Sequence, residues 1–502
     1  MTTVPTSEQP APQILAEEPD PRRWLALGII AIAQLMIVVD GSIVNIALPS
    51  AQKALHISNA DRQWVVTAYT LAFGGLLLLG GRIADYVGRK RIFVIGLLGF
   101  AAASAVGGLA VDSAMLFGAR ALQGMFAALM APAALSLLTV TFTDPEERAK
   151  AFGVYGAIAG GGLAIGLILG GILTEFASWR WCLLVNVPIG VITSVAAFRV
   201  VHESKAEGDT HYDLPGAITV TAGLTSLVYG MTKAGTDGWG STTALAFLIA
   251  AAVLLVVFVL IERRTPHPLL PLRVVTERNR AGAFLTSLII GAALFGLFLF
   301  LTYYLQGTRH YSALRSGFAF LPLSVGIVAS AAGASFLLTR LPPRVIMTAG
   351  TILTGLGLLW FTQIGVHTSY VAHILPSEIL MSMGLGLVFV PISSVGLFGI
   401  DDRDAGVASA LVNATQQVGG SIGTALLNTI AASALSSYLA EHLGKGHHIA
   451  SVVSSVTAKA DVHSYTTAFT VSAGFVALAL IVTLVLINAR TEDVPSEGAI
   501  GV

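Results

Sequence analysis

Gly81-Arg82-Ile83-Ala84-Asp85-Tyr86-Val87-Gly88-Arg89-Lys90-Arg91 joins two long apolar runs, residues 62–81 and 92–110. Glycine at 81 lets two helix ends approach closely, and glycine at 88 supplies a turn with positive φ. Asp85 is placed to reach a neighbouring helix N-terminus or a cation, as one side of a breakable latch. Arg89, Lys90 and Arg91 read as a basic anchor on the inner side of a membrane. An anchor explains the charges but not the Gly…Asp…Gly spacing.

The flanking runs belong to a longer series. Of the 502 residues, 55% are hydrophobic and 11% charged, against roughly 25% charged in soluble domains. That apolar excess requires lipid as solvent, and about 20 apolar residues cross the hydrocarbon core as a helix. Such runs occur at 24–48, 62–81, 92–110, 113–141, 150–174, 181–199 and 216–232, then at 243–261, 283–305, 318–338, 345–363, 374–399, 405–433 and 466–488. They are continuous rather than alternating, so an all-α membrane protein with 14 spans is expected and not a barrel. The acidic, Pro-rich residues 1–23 lack the basic n-region of a cleaved signal, so the first run is expected to stay as an anchor. Residues 491–502 read as a short disordered tail.

Lysine and arginine give the orientation. With both termini inside, inner segments carry 19 basic residues and outer loops 8, leaving Arg120 alone within a span. The loops are short, with no room for a soluble catalytic domain; the longest, 434–465, is expected outside. His447, His448 and His463 in it are scattered surface residues rather than a metal site. Charge is balanced at 28 basic and 28 acidic residues, which argues against a nucleic-acid partner. The lone Cys182 excludes an internal disulfide and reads as a packed thiol.

The 81–91 stretch resembles the signature loop of the major facilitator superfamily, with Ile83 where that loop usually has leucine. Asp40-Gly41-Ser42-Ile43-Val44-Asn45-Ile46-Ala47-Leu48-Pro49 resembles the first-helix signature of its fourteen-helix drug:proton antiporter branch. Arg120-Ala121-Leu122-Gln123-Gly124 is similar to the branch's fourth helix, and Trp179-Arg180-Trp181 with Asn186-Val187-Pro188-Ile189-Gly190 to its sixth. Tyr304-Leu305-Gln306 and Ala319-Phe320-Leu321-Pro322 resemble its ninth and tenth. The resemblance covers roughly residues 24–490. It implies two six-helix bundles, 24–203 and 266–490, with two inserted helices in 204–265 and cytoplasmic tails at 1–23 and 491–502. Only a degenerate copy of the loop recurs, at Leu338–Arg344, without its Asp and Gly.

Span 5 carries Gly162, Gly166 and Gly170 at four-residue spacing, with Gly171 beside them, which makes a flat face for close packing. It resembles the branch's antiporter motif, with Leu167 where that motif has proline. A weaker kink, or one supplied by glycines alone, is expected.

A lone ion within a span costs a few kcal/mol, so Asp40 and Arg120 must face a cavity or a partner. Counted from the outer ends of their runs, both lie at a depth of about 11 Å. The resemblance implies a proton site, with Asp40 as carrier and Arg120 as tuner; a fixed ion pair is the alternative. Glu378, about one turn into span 12, reads either as a substrate or second proton site or as a side chain snorkelling to water. Gln34, Asn45, Gln123, Gln306, Asn413, Gln416 and Gln417 are candidates to line a cavity, with interhelical hydrogen bonding as their alternative use.

The expected function is proton-coupled antiport, exporting small amphipathic or cationic compounds across a bacterial cytoplasmic membrane by alternating access, as a monomer and without a cofactor. A dedicated exporter of one metabolite or antibiotic is the alternative. An embedded enzyme would need clustered catalytic or metal-binding groups, and a receptor a soluble signalling domain; the sequence offers neither.

Overall fold

The computed structural model describes residues 21–205, 213–400, 402–443 and 450–491. Most of the two tails, His447 and His448 lie outside them. Among the described residues are 14 helices long and apolar enough to cross a membrane, and no strand. The even number of spans among the described residues places Arg23 and Leu486 on one face, here called proximal, and the opposite face is distal.

The first six spans are Arg23–Ala54, Trp64–Val87, Arg89–Gly108, Ser113–Thr141, Glu146–Phe176 and Trp181–Val200. Spans 7 and 8 are Leu214–Asp237 and Thr242–Arg264. The last six are Arg278–Thr308, Ala313–Leu338, Pro343–Phe361, Tyr370–Gly396, Asp404–Leu443 and Ala450–Leu486. Local chemistry sets several boundaries. Asp112 caps span 4 by accepting from the Met115 N–H at 2.8 Å, and Asp144 caps span 5 through the N–H groups of Glu146 and Glu147. Gly88 separates spans 2 and 3 at φ 129°.

Helix pairings in the first six spans recur in the last six. Span 2 packs on 4, 3 on 4, 1 on 5 and 3 on 6; correspondingly 10 packs on 12, 11 on 12, 9 on 13 and 11 on 14. Small residues permit these approaches. A Cβ at Gly80 would stand 2.0 Å from the Ala128 carbonyl oxygen, and one at Gly419 would stand 1.9 Å from that of Leu288. The halves meet mainly where span 2 lies along 13 and span 5 along 10. Spans 7 and 8 form a hairpin whose span 7 rests on spans 2 and 13. Span 8 presents Ile249, Val253 and Val256 outward, as a helix facing lipid does.

The expected long loop at 434–465 is largely helix: span 13 continues to Leu443 and span 14 begins at Ala450. Hydropathy ends where lipid ends, but a helix satisfies its own backbone and continues into water. The ring of Tyr438 stacks on His442 at 3.9 Å and lies 5.2 Å from His463 across the two extensions. Span 1 likewise runs through Pro49 to Ala54. Asp40 is therefore 14 residues from that helix's distal end, the last six of which extend past the apolar run.

Candidate functional site

Asp40 and Arg120 meet in the first six-helix half, and neither sees solvent (0% and 1% exposed). Arg120 Nη1 donates to Asp40 Oδ2 at 2.6 Å. The other carboxylate oxygen accepts from Gln123 Nε2 and from Asn186 Nδ2, both at 2.9 Å. Gln123 also accepts from Arg120 at 2.8 Å and donates to Ser104 Oγ at 2.7 Å. Arg120 Nε donates to the Val65 carbonyl at 2.9 Å, and its guanidinium lies 4.5 Å from the Tyr69 ring centroid. Spans 1, 2, 3, 4 and 6 thus converge on one buried ion pair. Both carboxylate oxygens are satisfied, the condition under which a buried anion is tolerated.

A second polar cluster closes the distal face between the halves. Arg62, in the loop after span 1, is buried with its guanidinium 4.0 Å from the Tyr303 ring centroid, and its Nε donates to Asn428 at 3.1 Å. Asn428 donates in turn to the carbonyls of Asn59 and Ala60. Nearby, Gln306 donates to the Ile46 carbonyl at 3.0 Å, Tyr303 to Gln52, and the Leu314 N–H to Glu175 at 2.9 Å. Thr70 and Ser421 share a hydroxyl hydrogen bond of 2.7 Å. All of these bonds lie toward the distal end. A cavity of about 230 Å³ beside Arg62 is lined also by Tyr303, Asp461, Ser464 and Tyr465.

The family described as Major Facilitator Superfamily matches residues 30–424. The chain belongs to the major facilitator superfamily. Its relatives include the puromycin resistance protein pur8 of Streptomyces alboniger, 45% identical over 99% of this chain and 97% of that protein. The cephamycin export protein CmcT of Amycolatopsis lactamdurans is 39% identical over 84% of this chain and 88% of that one. In fold, the transporter is similar to a bacterial homologue of the human lysosomal transporter Spinster, crystallised inward-facing and unoccupied. There the TM-score is 0.66 at 14% identity, covering 95% of this chain and 100% of that one.

In this transporter the 81–91 loop has geometry that its sequence only partly announced. Gly80, not Gly81, makes the close approach to span 4; a Cβ at Gly81 would meet only Pro132, at 3.4 Å. The helical period turns Gly80 toward its neighbour's backbone and Gly81 aside. Asp85 accepts from Arg89 Nε at 2.9 Å, at the N-terminus of span 3. Lys90 contributes its N–H, at 3.1 Å, to the carboxylate of Glu203, which also accepts from the Arg91 N–H. Glu203 stands where a Gly88 Cβ would point, 2.8 Å away. These contacts stay within the first half.

Gly162, Gly166 and Gly170 pack on Val38, Ser42 and Ile43 of span 1, whereas Gly171 faces Leu314 of span 10, across the halves. Leu167, fully buried, directs its carbonyl toward Gly317, 2.5 Å from where a Cβ there would lie. Span 5 is one uninterrupted helix through this region. Gln34 accepts from Tyr155 at 2.8 Å, Asn45 bonds back to the Gly41 carbonyl, and Asn413 and Gln416 are half-buried on span 13. Gln417 packs against Gly74 of span 2 with its Oε1 unpartnered. Cys182 is buried, 3.3 Å from the Thr174 hydroxyl.

Glu378 overturns the snorkelling alternative: it is 0% exposed. Tyr370 lies 3.1 Å from its Oε2, and its Oε1 has no partner. Arg62, Ser104 and Tyr370 gave no sequence signal, because each acts through a tertiary neighbour. Asn186 did stand in a recognisable stretch, directly after the break in span 6 at Val185.

Proposed function

We propose that this transporter exports small amphipathic or cationic toxic compounds, antibiotics among them, from a bacterial cytoplasm in exchange for protons. Its proximal face, with both termini, is cytoplasmic, and the distal face is external. Closure of the distal face by Arg62, Asn428 and Tyr303 then corresponds to an inward-facing state. Residues 24–203 and 266–490 rock about the seams between spans 2 and 13 and spans 5 and 10. The proton gradient supplies the energy without a cofactor, and a single chain is the working unit.

The observation carrying this reading is the buried Asp40–Arg120 pair, on which five spans converge. A proton on Asp40 would cancel the charge that Arg120, Gln123 and Asn186 hold in place, loosening helices that must shift for the distal face to open. Proton release on the cytoplasmic side resets the network. Relatives named for resistance and export support the substrate class and direction.

The test uses inverted vesicles energised by a proton gradient, with ethidium as the transported dye. Asp40→Asn should abolish gradient-driven accumulation while ethidium still binds. Undiminished accumulation would sink the role of Asp40. A dedicated exporter of one antibiotic is the second reading, favoured by relatives named for single compounds. A toxicity panel separates the two: protection against one chemical class supports dedication, and against several unrelated classes a broad pump.

A further inference from the structure

The last six spans hold a buried acid whose surroundings are the reverse of Asp40's. Glu378 is fully enclosed in span 12, yet among the described residues no ion pair reaches it and its Oε1 has no partner. That span packs on spans 9, 10 and 11 and, less extensively, on span 13. Residues 281–302, 316–338, 345–361 and 407–437 of those spans contain no ionisable side chain. On its own helix the titratable neighbours are Tyr370, which touches it, and His373, whose Nδ1 is itself unpartnered. Tyr311, in the distal loop before span 10, and Arg315, in the first turn of that span, stack on one another at 3.9 Å. The hydroxyls of Ser377, Ser382, Ser324 and Thr354 already donate to main-chain carbonyls.

Hydrogen counting decides the charge state. The Tyr370 hydroxyl lies 2.8 Å from the Ala319 carbonyl oxygen and 3.1 Å from Glu378 Oε2. It has one hydrogen and two acceptors to serve. If Glu378 were ionised, both its oxygens would need donors, and one weak share of a single O–H is all that is on offer. An unpaired anion in that setting is the state burial most disfavours. With one proton added, the accounts close: Glu378 donates through Oε2 to the Tyr370 oxygen, and Tyr370 donates to Ala319. The remaining Oε1 is then an ordinary carbonyl oxygen without a charge to solvate.

We infer that Glu378 is a second proton-carrying site, occupied by its proton in this conformation and emptied or refilled when the distal face opens. A specific backbone feature lies on the route. Residues Tyr370–Ile374, one turn ahead of Glu378, form a π-helical turn, and the preceding loop is tied down through Gly365 and Val366 by Tyr304 and Arg309. Tyr304–Thr308 is also π-helical. Such turns are rare within helices and occur frequently at functional sites. Moving the π turn away from Ala319 would break the Tyr370 relay and give Glu378 access to water at the distal end. The proton then passes between the Glu378 carboxyl and that water, with no other group altered.

Use of this site in the transport cycle rests on the proton-coupled reading above; its protonation does not. The purified full-length protein, examined by infrared spectroscopy at neutral pH, should show the C=O stretch of an undissociated carboxylic acid. Glu378→Gln should remove that band in the difference spectrum, even if the buried Asp213 and Glu262 contribute a band of their own. Tyr370→Phe, which keeps the glutamate and the ring, should shift the band by removing its acceptor. Identical carboxylic-acid regions in wild type and both variants would overturn the inference. In proteoliposomes containing pyranine, Glu378→Gln should move fewer protons per ethidium than wild type; an unchanged ratio would overturn the transport role. No proton movement in wild type would instead defeat the antiport reading and leave the infrared result standing.

Discussion

Asp40 in the first half and Glu378 in the last are equally buried carboxyls on helices of the same repeated architecture, yet their environments are opposites. Asp40 receives a guanidinium and two amides, and Arg120 and Gln123 each hold a further partner. Glu378 receives part of one hydroxyl. In this conformation the first is the arrangement of a charge that is held, the second of a charge that is avoided. A pseudo-repeated scaffold therefore repeats helix packing without repeating electrostatics. The loop signature is as uneven: 81–91 has its Asp and glycines, and 338–344 has neither.

The comparison can be broken most directly at Arg120. Arg120→Ala would leave Asp40 as an uncompensated buried charge and should destabilise the fold by about 3–5 kcal/mol. Thermal unfolding in detergent would register it, and Asp40→Leu in the same chain should restore part of the loss. Glu378→Gln, by contrast, should leave the midpoint close to wild type; an equal loss from both would erase the distinction between the halves.

The next effect concerns the join between them. Arg62→Ala removes a cation–π contact and a hydrogen bond at the distal closure, together worth about 1–2 kcal/mol. The population open at that end should rise about 5- to 30-fold. Ser464→Cys, on the cavity beside Arg62, gives the readout, since the native Cys182 is buried. Its labelling by an impermeant maleimide from the distal side should accelerate accordingly, and an unchanged rate would remove Arg62 from the gate.

Smaller effects test the signature loop and its counterpart at the start of span 9. Gly88→Ala forces a side chain into φ 129° and against Glu203, at a cost of about 1–3 kcal/mol in thermal stability. Glu277 caps span 9 through the N–H groups of Asn279 and Arg280. Burial raises its pKa, but those N–H groups and the Asn279 side chain outweigh burial, so the carboxyl ends below its ordinary 4.5. Its stabilising contribution is present above that value and is lost as the pH falls through the lower folded one. Unfolding midpoints of wild type and Glu277→Gln should accordingly differ at neutral pH and converge under acid; a constant difference would contradict the capping role.

Much of this molecule was legible in its residues. Fourteen spans follow from uninterrupted apolar runs, because lipid-facing and buried helix surfaces are both apolar. The ends of spans 13 and 14 were not legible, since residues 434–443 and 450–465 are polar enough to resemble a loop while remaining helical. Equal depth hinted that Asp40 and Arg120 are neighbours, and their side chains do meet at 2.6 Å. Ser104 and Tyr370 were beyond reach, because a serine or tyrosine in a span has many uses and only its neighbours select one. Gly80 and Gly81 differ by one position of helical phase, finer than a loop motif resolves.

The long helices of spans 13 and 14 have a mechanical consequence. At 1.5 Å per residue, the 40 residues of span 13 measure about 60 Å, twice the thickness of the hydrocarbon core. The surplus projects from the distal face, joined to its neighbour by the Tyr438 and His463 rings. A stiff rod rooted in the moving half acts as a pointer, converting a small tilt within the membrane into a large arc at its tip. Spin labels at that tip and on the distal end of span 1 would measure rocking with amplified sensitivity. The same projection would serve as an alignment landmark for imaging, since the other described residues leave little mass outside the bilayer.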